Sequence, residues 1–288
     1  MNSMDGKKQL LGAACLLAAA ALCFGQAKKI LLRDKNGTFE ISQYKSFNAK
    51  VIGENKTRII APGNPKIIAT WSKEMLRLEA GRFEGTVNRA PGGEITLEIA
   101  TLSGGVDITS QRNSANEASK VLQTIQFGGQ TGTYQASDRK ITIDGGFSAS
   151  RTDAGAGQSG TFSGGKGTFH LHPQPTPTSA RYPFKSALIS GSVRIKLKST
   201  QARGGSSEQT NLDATCSNLT YNDANGEFIL TGNVHLTGNN PVLFGDVDAE
   251  KVILRLDAKG ELDEIEVEGE PANLDLVRRA PAGAKPPR

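Results

Sequence analysis

The chain has 288 residues, 33 of them glycine, with 22% charged residues, 6% aromatic residues and a formal net charge of +5. That length holds one large or two ordinary domains with a buried core, and Val, Ile and Thr recurring in short alternating runs make the expected fold class all-β. The charge is uneven, acidic over Asp246–Glu270 and basic over Lys28–Lys73 and Arg278–Arg288; no basic stripe interleaved with aromatics occurs, so nucleic acid is not an expected partner.

Residues 1–27 have the pattern of a secretory signal: Lys7 and Lys8, the apolar run Leu10–Phe24, then Gly25-Gln26-Ala27. The expected mature chain starts at Lys28 and lies in the periplasm, the alternative being an uncleaved anchor in the inner membrane. Cleavage leaves Cys216 as the one thiol, read as a small buried residue in a fold held without disulfides. From Lys28 to Ile60 strands and turns alternate, and Pro62-Gly63-Asn64-Pro65 breaks the pattern. Lys66–Trp71 and Met75–Val87 resume it, with Trp71 expected to plug the core. Asn88–Gly93 reads as a turn, and Ser114–Gln123 as a short helix or a mobile loop.

Arg151–Gly167 is so rich in Gly, Ser and Thr that it reads as a loose loop or an irregular edge. His170 and His172 share a face at strand spacing, but a metal site needs three or four ligands, so a solvated edge without metal is expected. Pro173–Pro183 reads as an extended connection. It separates an N-terminal β-repeat region, 28–172, from a C-terminal one, 184–278, and the tail 279–288 is expected to be disordered.

The clearest unit is Leu219–Gly238, a hairpin with its turn at Asn222–Gly226. Its second strand places Phe228, Leu230, Gly232, Val234 and Leu236 on one face and Ile229, Thr231, Asn233, His235 and Thr237 on the other. The same local pattern surrounds Gly104, Gly145 and Gly191, so that four glycines fall 41, 46 and 41 residues apart, an internal repeat. Tyr134, Ile141, Ile143 and Gly145 match Tyr221, Phe228, Leu230 and Gly232, and weaker half-copies lie at Gly85 and Gly269. Glycine weakens a strand interior, so its repeated placement points to bulges or bends rather than to ligand contacts.

Tyr221, Gly232, Asn233, Val234, Ala249, Glu250, Lys251, Ile265, Gly269 and Pro271 form a pattern that resembles the OstA/LptA family of periplasmic lipopolysaccharide-transport proteins. The resemblance is good over Leu212–Leu276, partial over Thr133–Ser150 and faint before Gly104. It implies an open, twisted β-jelly roll, here as two stacked repeat units, whose two sheets part into a hydrophobic groove for acyl chains. Leu230, Val234, Leu236, Val252, Leu254, Leu256, Ile265 and Val267 are the expected lining of that groove. The sequence leaves open whether this interior is a groove or a closed core. Arg151–Pro183 interrupts the family pattern.

The leading expectation is therefore a non-enzymatic periplasmic carrier or bridge for lipopolysaccharide or a similar amphiphile, without cofactor. The alternative is a structural or adhesive envelope β-repeat protein with no lipid ligand. A hydrolase is disfavoured, because no nucleophile or paired-carboxylate signature occurs, and Glu264, Glu266 and Glu268 alternate with Ile265 and Val267 as on a solvated strand face. Expected partners are other jelly-roll transport proteins joined by strand addition, or head-to-tail self-association, with Ile30–Arg33 the more available edge and Ala272–Val277 the other.

Overall fold

The computed structural model describes residues 29–34, 37–71, 74–89, 95–113, 121–153, 157–173, 182, 184–203, 206–239, 244–257, 262–269 and 273–276. The expected signal segment, most of 173–183, the tail and the side chain of Trp71 lie outside the described residues. Sixteen strands form one sheet: β1 (Ile30–Asp34), β2 (Gly37–Ser42), β3 (Asn48–Val51), β4 (Lys56–Pro62), β5 (Lys66–Trp71), β6 (Glu74–Arg89), β7 (Ile95–Asn113), β8 (Val121–Gln135), β9 (Lys140–Asp153), β10 (Gln158–Leu171), β11 (Phe184–Arg203), β12 (Ser206–Asn222), β13 (Glu227–Asn239), β14 (Phe244–Leu256), β15 (Leu262–Glu268) and β16 (Asn273–Leu276). No helix occurs among the described residues, so the expected all-β class holds. The described part of the candidate helix, 121–123, belongs to β8.

From β6 to β15 each strand pairs antiparallel with the next in sequence, and the sheet stays open rather than closing into a barrel. The long strands bend in the middle, where the register slips. β7 and β8 slip between Ser103 and Val106, β8 and β9 between Gly128 and Thr131, β9 and β10 between Gly164 and Lys166, and β12 and β13 between Thr215 and Asn218. These bulges line up across the sheet and fold it into two leaves. At the fold, Gly104 and Gly105, Gly145 and Gly146, Gly191 and Ser192, and Gly232 and Asn233 all take positive φ, between 50° and 84°. Two successive left-handed residues turn the strand sharply, and only Gly, with Asn as the next best, adopts that backbone without a steric penalty.

The repeated glycines are therefore the corners of a folded sheet. The spacing of 46 between Gly145 and Gly191 spans the long connection after β10. The corner of β6 falls at Gly81, which faces Gly104 across the fold, rather than at Gly85. Gly85 lies under the ring of Phe83, where an added Cβ would come within 2.7 Å of Cζ. Gly269, at φ 100°, is a true half-copy: β15 pairs with the Lys251–Leu256 half of β14, and β16 with its Gly245–Asp248 half.

Folding brings the two inner faces together as one core. In β13, Phe228, Leu230, Val234 and Leu236 are buried and point inward on both sides of the corner. At the N-terminal end β5, β2 and β1 continue the leaf that carries Glu74–Ala80, and they curl until Arg33 of β1 pairs in parallel with Thr96 of β7. Their buried residues Leu32, Phe39, Ile41 and Ile67 join the core and cover that end. β4 and β3 extend the other leaf.

Three expectations change. Regions 28–172 and 184–278 are consecutive stretches of one sheet, because β10 pairs directly with β11 from Gln158–Ser199 to Leu171–Phe184. Most of Arg151–Gly167 is strand, running through the end of β9 and two-thirds of β10 in the middle of the sheet. Its small residues sit where leaves and strands approach closely, and Gly160, Gly164 and Gly167 each lie where a Cβ would meet a neighbouring side chain within 2.8 Å. Ile30–Arg33 is not a terminal edge of the sheet: β1 pairs along its length with β2 and, at Arg33, in parallel with Thr96 of β7. The free edges are β3, where Val51 and Ile52 are exposed, and β15 with β16.

Candidate functional site

The eight positions expected to line a groove converge on the interior. Leu230, Val234, Leu236, Val252, Leu254 and Leu256 are buried, and Ile265 and Val267 pack half-buried against them. Alternation does this work: in β13 and β14 every second residue faces the opposite leaf, and pairs such as Leu230–Val252 and Phe228–Leu254 stand directly across from one another. The outward positions carry charge instead. His235 Nδ1 lies 2.7 Å from Asp248 Oδ1. Arg255 binds Glu227 at 3.0 Å, Glu264 at 3.0 Å and Glu266 at 2.5 Å, and Lys251 reaches Glu268 at 2.7 Å. The acidic face of β15 is thus ion-paired to β14, whose Arg255 also reaches Glu227 of β13. Hydrogen bonds to Glu266, Glu227 and Glu264 hold Arg255 firmly protonated, while Asn225 and then Arg255 pull the Glu227 carboxyl below its usual range.

Sequence reasoning missed the middle of the molecule. Between β8 and β13, Phe127, Phe147, Phe162, Phe169, Tyr182, Phe184, Tyr221 and Phe228 face one another across the two leaves. Ring centroids lie 4.8 Å apart for Phe127–Phe169, 4.9 Å for Tyr182–Tyr221 and 4.5 Å for Tyr221–Phe228. The space left between them is about 30 Å³, room for roughly one water. A second apolar space, of about 20 Å³, lies near Phe39, Phe83 and Tyr134. Tyr221 and Phe228 already stood in the clearest hairpin and Phe147 in its earlier copy, but Phe162 and Tyr182, which join them into one chamber, fell in stretches that read as loop and connection.

Two polar clusters flank the aromatic chamber. In the first, Arg151 at the end of β9 lies 88% buried by side chain, its guanidinium 4.7 Å from the centre of the Tyr182 ring. Nη1 donates to Gln158 Oε1 at 3.4 Å and to Tyr182 Oη at 3.3 Å, and Nη2 donates to Asp153 Oδ2 at 3.2 Å. With its amide oxygen turned towards Arg151, Gln123 accepts from Nε at 3.0 Å and from Nη2 at 3.2 Å. Arg151, Asp153, Gln123 and Gln158 come from one leaf; Tyr182 precedes β11 at the lip of the other. The contact therefore bridges the open lips of the folded sheet.

The second cluster corrects the expectation for His172, which is buried rather than solvated. Just beyond β10, His172 lies against the β8–β9 and β12–β13 turns. There His172 Nε2 lies 3.0 Å from Asp223 Oδ2, Tyr221 Oη donates to Asp223 Oδ1 at 2.5 Å, and Arg139 Nε donates to the His172 carbonyl oxygen at 2.9 Å. Buried polar groups are tolerated when they are bonded in this way, and the cluster ties the end of β10 to the β8–β9 and β12–β13 turns. His170 does not join it. No group of three or more His, Cys, Asp or Glu side chains able to hold a metal occurs among the described residues.

Cys216 is buried beside the corner, where its Sγ donates to the Asn218 carbonyl oxygen at 3.2 Å. Burial pushes its pKa up to about 11, the opposite of what a nucleophile needs. The arrangement as a whole offers an apolar interior between two leaves, capped at one end by β1, β2 and β5 and bounded at the other by the half-buried β15. Compared with protein-family models, curated proteins and solved structures, the chain has no match.

Proposed function

We propose that this chain is a non-enzymatic carrier or bridge of the bacterial envelope that holds the acyl chains of lipopolysaccharide or a similar amphiphile between the leaves of its folded sheet. The observation that carries the reading is the asymmetry of the two ends. Strands β5, β2 and β1 wrap the N-terminal end, whereas Leu262, Ile265 and Val267 of β15 lie half-buried over an interior continuous with the rest of the core. The resemblance of Leu212–Leu276 to the OstA/LptA pattern supports the same reading. An acyl chain entering from that end gains about 0.8 kcal/mol for each methylene buried, enough for binding without a special motif. Strand addition at β3 and at β15 or β16 is the matching mode of partner contact.

The second reading, a structural envelope repeat without lipid, is favoured by one observation: the leaves are already packed, leaving spaces of only about 30 and 20 Å³. One experiment separates the two. A photo-crosslinking residue is placed in cells at Ile265 or Val234, at the outward positions His235 and Arg255, and at Ile52 beside the β3 edge. Lipid adducts at Ile265 and Val234 and protein adducts at Ile52 are the expected result. Lipid adducts confined to His235 and Arg255, or absent everywhere, overturn the carrier reading and leave the structural one.

A further inference from the structure

Among the described residues that line the aromatic chamber, Arg151 is the cation. Its side chain is 12% exposed and it lines the aromatic chamber. Lys and Arg rarely leave water without a compensating anion, and here the compensation is uneven. Nη2 and Nε face Asp153 and Gln123 at 3.0 to 3.2 Å. Nη1 has only neutral acceptors, Gln158 and Tyr182, at 3.4 and 3.3 Å, well beyond the roughly 2.7–2.9 Å of a charge-assisted bond to an anionic oxygen. The guanidinium fork is thus half satisfied by charge, and its weaker half faces the lip of the other leaf.

Tyr182 fills the place next to it. Its ring is 4% exposed, stacks on Phe184 with centroids 5.1 Å apart, and meets Tyr221 edge-on at 4.9 Å. It stands at the lip of its leaf, so a swing outward would trade its bonds, the long one from Arg151 among them, and its ring contacts with Phe184, Tyr221 and Phe228 for water, and leave in place the β10–β11 ladder, whose last rung is Leu171–Phe184. That movement would leave a cation at the mouth of an apolar chamber lined by Phe127, Phe147, Phe162 and Phe169.

We propose that Arg151 and the aromatic chamber form a binding site for a single-chain anionic amphiphile, the anionic oxygen taking Nη1 and the hydrocarbon tail taking the place of the Tyr182 ring. The proposal rests on the carrier reading and narrows it to a residue and a charge. The anion replaces two long neutral bonds by a charge-assisted one in a water-poor setting, where such bonds are stronger. The tail exchanges water for aromatic faces, and Tyr182 moves to the surface, where its hydroxyl is hydrated.

The test is calorimetric titration of the full chain with dodecanoate, dodecyl phosphate and dodecyl maltoside, each below its micellar concentration. The expected result is that one or both anionic amphiphiles bind at least tenfold more tightly than the maltoside, and that Arg151→Gln reduces this preference to less than twofold while the far-ultraviolet spectrum stays β. Dodecanoate against dodecyl phosphate tells a carboxylate head from a phosphate one. Equal binding of all three by the unmodified chain, or a preference that survives Arg151→Gln, overturns the site and leaves the carrier reading standing. No binding of any of the three overturns both. Should Arg151→Gln fail to fold, Tyr182→Phe keeps the ring and removes the hydroxyl competing for Nη1. Tighter anionic binding by that variant supports the proposal, and unchanged or weaker binding overturns it.

Discussion

The aromatic middle of the sheet and its aliphatic C-terminal end are built from the same bent hairpins yet are held together differently. Between β8 and β13 the leaves interlock through rings, among them Phe127, Phe147, Phe169 and Phe184, and Arg151 ties one lip to Tyr182 on the other. From β14 onwards, among the residues whose side chains are described, the interior is Val247, Ala249, Val252, Leu254, Leu256, Leu262, Ile265 and Val267, with no aromatic among them. There the last strand is fastened from outside, by Arg255 and Lys251 reaching the carboxylates of β15. Rings pack in few geometries and resist separation, whereas aliphatic side chains readjust with little loss. Exposed ion pairs hold weakly and are screened by salt. The contrast teaches that the middle is the clamp of this fold and the C-terminal end the part most easily parted.

The contrast is sharpest in stability. Phe169 touches the rings of Phe127, Phe147 and Phe184 at centroid distances of 4.8, 5.5 and 5.3 Å, so Phe169→Ala leaves a hole that the ring cluster cannot close. It is expected to cost about 3–5 kcal/mol. Val267→Ala at the half-buried end removes two methyl groups next to solvent and is expected to cost less than about 1 kcal/mol. Denaturant unfolding of both variants measures the difference. Equal costs would mean that the ends and the middle share one uniform core, and the idea of a yielding end would fall.

Much of this organisation could be read from the residues, and the reason is local. The alternation of Phe228, Leu230, Val234 and Leu236 fixes the inward face of β13 whatever its partners are, because strand parity is set by the backbone alone. The glycine period reported the corners for the same reason, since the left-handed pair that bends β7, β9, β11 and β13 opens each time on a Gly, the residue that takes this backbone most readily. What could not be read is what depends on the third dimension. Arg151 and Tyr182 are 31 residues apart, and their meeting follows from the folding of one leaf over the other. His172 was assigned to a solvated edge because no set of metal ligands lies near it in sequence, but Asp223, 51 residues on, is brought against it by the β12–β13 turn. Arg151–Gly167 looked like loop because its Gly and Ser residues lack bulk, which is the property that the crowding of Leu197, Ile189 and Phe147 from the paired strands requires there. The edge expected at Ile30–Arg33 is narrowed because nothing local shows that β1 curls over until Arg33 meets Thr96 of β7.

A smaller effect separates two causes for glycine at the corners. Gly104 and Gly105 have nearly the same φ, 82° and 84°, but their surroundings differ. A Cβ on Gly104 would stand 3.2 Å from the Cα of Gly81 on the facing strand, whereas one on Gly105 meets nothing within 4 Å. Gly105→Ala should therefore show the cost of the left-handed backbone alone, about 1–2 kcal/mol. Gly104→Ala should lose that amount and more, since backbone cannot step aside as a flexible side chain can. Matched unfolding midpoints for the two would show that backbone conformation alone selects these glycines and that the close approach of β6 to β7 is incidental.

The smallest expected effect lies at Cys216, where the corner of β12 meets the core. Its thiol sits buried with a pKa raised from 9.0 to about 11, chiefly by burial, against the smaller opposing pull of hydrogen bonds from the backbone at Thr231 and Asn218. Two results follow. At pH 8.5 the folded chain should react with iodoacetamide far more slowly than the unfolded chain, because the thiolate is the reactive form and the thiol is covered. The group also links stability to pH. Its folded pKa is above its unfolded value, so the folded state retains a proton that the unfolded state has released. The contribution is fully present below pH 9.0 and is lost as pH rises through about 11. Cys216→Ala should remove that component of the alkaline decline, and comparing the unfolding midpoints of the two proteins from pH 8 to pH 11 isolates it from the titration of lysines and tyrosines common to both. Fast labelling at pH 8.5, or an alkaline decline identical in the two, would mean that this corner opens to water, placing the yielding part of the sheet along its fold rather than at its C-terminal end.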